Sequence, residues 1–428
     1  MNVRTAVAAA GLVAALAAPD SLPATPADPP PAADDSLAPP PRIVAIEIEG
    51  ARRTRRETVL LLARVREGDP WREGLAEEAR QELANAGIFY DVTVTPEPAG
   101  GGVKLRIAFR EKWTLIPIPL VTVKDNETTW GATVVESNLF GTASLLIATL
   151  AVRDGEPGGR LLYIDPHLRG SLFQLFGALT YIDERWEVWD ADEETGSYRQ
   201  KTAGGTVAVG YRFARRTSAS VGVRLADFSF SEPREGVVPP EDAGERALVL
   251  MLRHEGTDFD EERRRGLSGE LRLEFGIEAL GDEVGRAAAD ATARWAHTFA
   301  TGHTLELAGY GLWTDTVDYE ESARTPTSFL RGYDADRFRP DRLLGGTVEY
   351  QLPVARFREA TFSVVPFADA ALLRDTNHAF AADDAQVDAG LALAAYVRRV
   401  ALPVLQIYGA YGFSTGETLF GFALGAGF

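Results

Sequence analysis

The chain has 428 residues, enough for two or more domains, and no cysteine, which excludes disulfides, thiolate metal sites and cysteine nucleophiles. Its formal net charge of −18 lacks the basic footprint that nucleic acid requires, so no nucleic-acid partner is expected. Charge of this size says little about fold, which has to be read along the chain.

Residues 1–17 read as a secretory signal: Arg4 gives a positive start, Ala6 to Ala17 form a short apolar stretch, and Ala15-Leu16-Ala17 supplies a small-x-small cleavage pattern. The apolar stretch is too short for a spanning helix, which needs roughly 20 residues. Residues 18–41 are rich in Pro, Ala and Asp and bury too little to order themselves, so they are expected to be a disordered tether. From residue 42 the pattern changes. Val44, Ile46 and Ile48 alternate with Ile43, Ala45 and Glu47, which predicts a strand ending at Gly50. Thr54 and Glu57 have capping-box spacing before a helix whose apolar face is Val59, Leu60 and Leu62. A second helix is expected from about Arg72 to Gly87, with Leu75, Ala79 and Leu83 on one face. Phe89–Thr95 and Val103–Phe109 complete a β-α-α-β-β order around a turn at Pro98–Gly102.

This segment, 42–112, resembles a POTRA domain of the outer-membrane assembly (BamA/TamA) superfamily. The likeness rests on the "IEIEG" start, Gly68, the "GIFYDVTV" stretch and the closing "VKLRIAFREKW". It implies a periplasmic module that handles other polypeptides.

From Trp113 to Phe428 the hydrophobic period becomes two. Across Leu267–Leu280, Leu271, Leu273, Phe275 and Ile277 share one face, and Glu270, Arg272, Glu274 and Glu278 the other. Charges on one face and lipid-like residues on the other predict an antiparallel transmembrane β-barrel with a polar lumen, so the fold class is mostly β. Sixteen strands are expected, beginning near residues 113, 128, 143, 160, 173, 199, 218, 246, 267, 286, 303, 343, 361, 386, 402 and 418. Long polar connections at Glu184–Tyr198, Glu232–Glu245, Thr314–Arg342 and Arg374–Gln386 are expected outside, and short turns at Leu139–Ala143 and Thr301–His303 inside. Gly256–Gly266 breaks this pattern as a long charged turn on the inner side.

No nucleophile elbow, phosphate loop or metal-ligand spacing occurs, and the five histidines are scattered, so neither enzyme activity, metal nor cofactor is expected. The sharpest motif is Leu330-Arg331-Gly332-Tyr333 in the loop before the twelfth predicted strand. It resembles the (V/I/L)RG(F/Y) motif of the same superfamily, in a barrel of the bacterial surface antigen type. The resemblance implies a loop folded into the lumen, its arginine paired with carboxylates of the next two strands. Glu349 and Asp369 occupy those positions, and strand parity turns both inward. An arginine's fork suits two carboxylates. The motif serves client handling in one reading and only plugs or braces the barrel in another; both stay open.

The first predicted strand contains Pro117 and Pro119, which remove two amide donors from one strand edge, and the last is rich in glycine at Gly421, Gly425 and Gly427. If that edge faces the last strand, the pair forms a candidate lateral gate; alternatively the prolines precede the ladder. The terminal Phe428 looks like the C-terminal signal by which such barrels are themselves recognised. The resemblance implies an assembly, insertion or translocation factor in the bacterial outer membrane. Its partners would be outer-membrane lipids, unfolded or exported client polypeptides and periplasmic accessory proteins. A secretion pore for one partner protein and a passive structural barrel are the alternatives.

Overall fold

The computed structural model describes residues 40–424 apart from 125–126, 154, 191–192, 320–327, 335–336 and 402–403. The expected signal peptide, nearly all of the tether, and Gly425, Gly427 and Phe428 lie outside the described residues.

The N-terminal module runs β1 (Ile43–Glu49), α1 (Arg56–Ala63), α2 (Leu75–Asn85), β2 (Phe89–Ala99) and β3 (Gly102–Glu111). Its sheet has the order β1-β3-β2, with β1 parallel and β2 antiparallel to β3. Both helices cover one face of it, through Val59 and Ala63 from α1 and Ala79 and Leu83 from α2, against Ile46, Leu105 and Ile107. Two local expectations change. An irregularity between Ile43 and Ala45 shifts the register of β1, so Ile43 rather than Val44 joins the core and Val44 is exposed. The capping box does not form: Arg55 occupies the cap position without a side-chain bond, and Thr54 Oγ1 accepts from Asn138 at 2.9 Å. Glu111 takes over the approach to the helix, accepting from the backbone N–H groups of Arg52, Arg53 and Thr54.

The remaining strands are β4 (Leu115–Lys124), β5 (Glu127–Leu139), β6 (Ser144–Arg153), β7 (Glu156–Asp165), β8 (Phe173–Asp190), β9 (Glu193–Ala214), β10 (Thr217–Arg234), β11 (Ala243–Glu255), β12 (Asp258–Asp260), β13 (Arg263–Gly276), β14 (Ala287–Thr298), β15 (Thr304–Thr314), β16 (Arg342–Arg356), β17 (Ala360–Arg374), β18 (Gln386–Val397), β19 (Val404–Gly412) and β20 (Thr418–Leu424). Their order returns from β20 to β4, a closed barrel. Among the described residues no residue-by-residue register joins β20 to β4. Of these seventeen strands, β12 has three residues and pairs with the start of β13, while β11 pairs β13 directly. Sixteen strands therefore make up the wall, as the hydrophobic pattern predicts. The alternation is visible in exposure: Val207, Val209 and Tyr211 are 45–50% exposed on the outside while Ala208 between them is 2% exposed.

The strand bounds differ from expectation in two places. Glu184–Tyr198 is largely strand, because β8 and β9 stay paired to Asp190↔Glu193. Cross-strand contacts sustain the ladder there: Trp186 stacks on Tyr198 with ring centroids 6.4 Å apart, and Arg199 grips both oxygens of Asp183 at 2.6 and 2.9 Å. The stretch reads as a loop because charged residues such as Glu184, Arg185, Glu187, Asp190, Glu193 and Glu194 interrupt its apolar alternation. In β13 the strand stops at Gly276, and Glu278–Leu280 forms a short 3-10 turn ended by Gly281 at φ 82°. Glu278 therefore does not extend the inner face.

Candidate functional site

The loop between β15 and β16 folds into the lumen. Phe329, Leu330, Tyr333 and Phe338 are buried with Leu343, Ala371 and Leu373 of the wall. Phe329 stacks on Tyr310 at 4.3 Å, and a Cβ at Gly345 would lie 2.3 Å from the Phe329 ring, so the wall is thinned to admit it. Arg331, side chain 1% exposed, binds both oxygens of Asp369 through Nε and Nη2 at 2.8 and 2.9 Å. Its Nη1 donates to Glu349 at 2.5 Å, and its Cζ sits 3.4 Å from the Phe367 ring centroid. The sequence-derived triad is thus brought together, with a cation–π contact added. Gly332 is fixed by crowding: a Cβ there would lie 2.5 Å from Cβ of Asp388 and 2.9 Å from the Gly412 nitrogen. Tyr333 donates to Val387 O at 2.8 Å and accepts from Ser414 Oγ at 3.1 Å, which ties the loop to β18 and to the turn after β19.

Sequence reasoning missed Asp388. It faces Asp369 directly across β17 and β18 and is fully buried. Inward parity in "QVDAG" was the available signal. Also missed was the loop's reach across the lumen: Arg339 lies over Trp186 at 4.2 Å, and Tyr319 meets Phe228 and Phe230 edge-on.

At the seam, the ladder between β4 and β5 begins before the prolines. Ser137 N–H donates to Thr114 O at 3.2 Å, and the register continues through Leu115↔Glu136 to Pro117↔Val134 and Pro119↔Ala132. Backbone groups of successive residues point to opposite edges of a strand. Thr114 and the even positions of β4 therefore address β5, and Pro117 and Pro119 lack their donors on the edge towards β20. The ladder with β5 therefore runs through both prolines. Trp113, on the same edge, binds the β18–β19 turn: its N–H donates to Arg399 O at 2.7 Å and its O accepts from Ala401 at 3.0 Å. Gly421 lies opposite Tyr408 of β19, whose ring would be 2.4 Å from a Cβ there, so this glycine accommodates an aromatic neighbour.

The exceptional Gly256–Gly266 turn docks the N-terminal module. Asn85 of α2 donates to Asp258 at 2.9 Å and accepts from Phe259 N–H at 2.9 Å, while Gln81 donates to Phe259 O at 2.8 Å. Arg398 from the β18–β19 turn bonds Asp91 of β2 at 2.5 Å and pairs with Glu261. The module therefore sits against the barrel end that carries the short turns.

A family model described as the Omp85 superfamily domain matches residues 138–427, and a POTRA model described as a surface antigen variable number repeat matches 41–112. No curated protein matches the chain. Among solved structures, BamA from Haemophilus ducreyi lacking POTRA domains 1–3 is 14% identical with a TM-score of 0.51, over 89% of this chain and 84% of that one. CdiB from Acinetobacter baumannii is 13% identical with a TM-score of 0.58, over 90% and 73%. CdiB from Escherichia coli is 11% identical with a TM-score of 0.59, over 90% and 75%. These likenesses show the fold. With its barrel matched over more than half of the sequence and a POTRA domain ahead of it, the chain belongs to the Omp85 superfamily, a family of bacterial outer-membrane transporters and assembly factors.

Proposed function

We propose that this protein inserts or translocates client polypeptides, capturing them on the POTRA domain and passing them along the β4–β20 seam. The observation that carries the proposal is the pair Pro117 and Pro119, which leaves two donor positions empty on the seam edge of β4. A seam with fewer hydrogen bonds opens at lower cost, and an open edge offers main-chain pairing to a client strand without strict sequence demands. Capture is supported by β2, an edge strand that pairs only with β3 among the described residues. A cavity of about 500 Å³ beside it is bounded by Phe89, Tyr90, Val92, Tyr396 and Arg398. Client folding supplies the free energy in this reading, and the Arg331 loop holds the neighbouring wall in register.

The chain has no cysteine, so paired cysteines introduced across the seam report on it alone. A panel joining Ile116, Ile118 or Leu120 to Leu419 or Gly421 should contain a pair that cross-links on oxidation. Client insertion is expected to stop in the oxidised protein and to return on reduction. Insertion that continues with the seam fully cross-linked rules out the gate; continued export of a single soluble partner under the same lock assigns the protein as a secretion pore instead.

A further inference from the structure

The cavity between the POTRA domain and the barrel mouth carries an arrangement that polypeptide handling does not require. It has a volume of about 430 Å³ and is lined by Arg64 at the end of α1 and by Arg212, Arg215 and Arg216 around the β9–β10 turn. In a chain of net charge −18, four arginines converge on this cavity from two domains against two lining carboxylates, Glu82 and Glu255. Two of the four are largely neutralised by protein. Arg215 bonds Glu82 at 2.9 Å and Glu78 at 3.3 Å, and Arg216 bonds Asp258 at 2.6 Å. Arg64 has Glu82 at 3.5 Å, a carboxylate it shares with Arg215 and Arg216, and its Nη2 donates to Arg215 O at 2.5 Å. Arg212 meets an uncharged partner, Nε2 of His167 at 2.9 Å.

Two further features point to a ligand. Because Arg212 donates to Nε2, His167 carries its proton on Nδ1, and among the described residues that buried nitrogen has no hydrogen-bond partner. Burial and the adjacent Arg212 and Arg64 push the imidazole down to about 4, so it is neutral at physiological pH and leaves the charge of Arg212 uncompensated. Arg64, moreover, occupies the C-cap of α1 in the left-handed conformation, at φ 54° and ψ 40°. That is a position where glycine avoids a cost of about 1 kcal/mol, which a cation at a helix C-terminus partly offsets.

We infer that this cavity binds a phosphate group, held between Arg64 of the POTRA domain and Arg212 of the barrel. Arginine forks match phosphate oxygens, and the apolar wall of Leu62, Ala86 and Phe259 suits the organic part of a phosphate ester. The bound anion would bridge two like-charged groups on different domains and so tighten the docked arrangement.

The full-length protein in detergent, in phosphate-free buffer of fixed ionic strength, is titrated calorimetrically with inorganic phosphate, with glycerol phosphate and with acetate. Saturable one-to-one binding of a phosphate compound is expected, with Arg212→Gln and Arg64→Gln each weakening it about 10- to 100-fold. Arg64 lies on the exposed POTRA side, so its variant keeps the test valid should Arg212→Gln disturb the barrel; heat-modifiable migration checks folding in both. Tighter binding of glycerol phosphate assigns the source as an ester, and tighter binding of inorganic phosphate as the free ion; either preserves the site. Acetate binding as tightly as phosphate, no saturable binding, or equal affinity in wild type and both folded variants overturns it.

Discussion

Arg331 shows how one cation organises a barrel interior. Its desolvation is tolerable only because Asp369 and Glu349 supply three close bonds and Phe367 a ring face. Arg331→Ala would leave two buried carboxylates unpaired beside Asp388, and we expect a loss of about 3–5 kcal/mol, read as a fall in unfolding temperature. Arg331→Lys keeps the charge but not the fork and should lose less. If client insertion by the alanine variant is normal at a temperature where it stays folded, the network only braces the barrel. Gly332→Ala is a different test, because no charge changes. The added methyl would press on Asp388 and the Gly412 backbone, at a cost of about 1–3 kcal/mol, and should expel the loop. Faster limited proteolysis within 314–342 would report that expulsion. The Arg331–Glu349–Asp369 contact was legible through the resemblance to the superfamily's loop motif, which implies the pairing, while parity turns both carboxylates inward. Phe367 obeys the same parity yet carries no motif, and Asp388 acquires its meaning only from the register that sets it against Asp369.

At the scale of elements, the wall was legible wherever one face meets lipid, since the alternation of apolar and polar residues marks both the strand and its orientation. It failed where that contrast ends. In the outer half of the β8–β9 hairpin charged residues interrupt the alternation, and its order comes from pairs such as Trp186–Tyr198 and Arg199–Asp183 that no local pattern announces. The prolines of β4 were legible as residues but not as a seam, because which edge lacks donors depends on the Thr114–Ser137 bond. Replacing both, Pro117→Val and Pro119→Val, restores two donors on the β20 side and keeps apolar side chains towards lipid. Each regained hydrogen bond is worth about 0.5–1.5 kcal/mol. The double variant should therefore unfold at a higher temperature and insert clients more slowly. A higher unfolding temperature with undiminished insertion would show that seam strength does not limit the activity.

The whole molecule depends on how the POTRA domain meets the barrel, and the junction residue Lys112 makes that contact pH-dependent. Its N–H donates to Ile88 O at 2.9 Å, while its side chain lies beside Tyr90, Glu261 and Arg398. Burial, offset in part by Glu261 and reinforced by Arg398, pushes the ammonium down to about 8 from an ordinary 10.5. A released or unfolded domain restores the ordinary value. Between about pH 8 and 10.5 the released state therefore holds a proton that the docked state has given up, and docking strengthens as pH rises through that window. Below about pH 8 both states are protonated and this contribution is flat and unfavourable. Lys112→Met keeps the length of the side chain without the charge, so it should dock more firmly at neutral pH and lose the alkaline gain. Hydrogen exchange of α2 and of the Asp258–Asp260 strand reads docking directly, through the Asn85 and Gln81 bonds that join them. Protection that rises with pH in Lys112→Met as steeply as in wild type would place the titrating group elsewhere. Asn85→Ala, which removes two of those bonds, should lower protection of both segments at every pH, because the Gly256–Gly266 turn is one of the places where the barrel holds the domain.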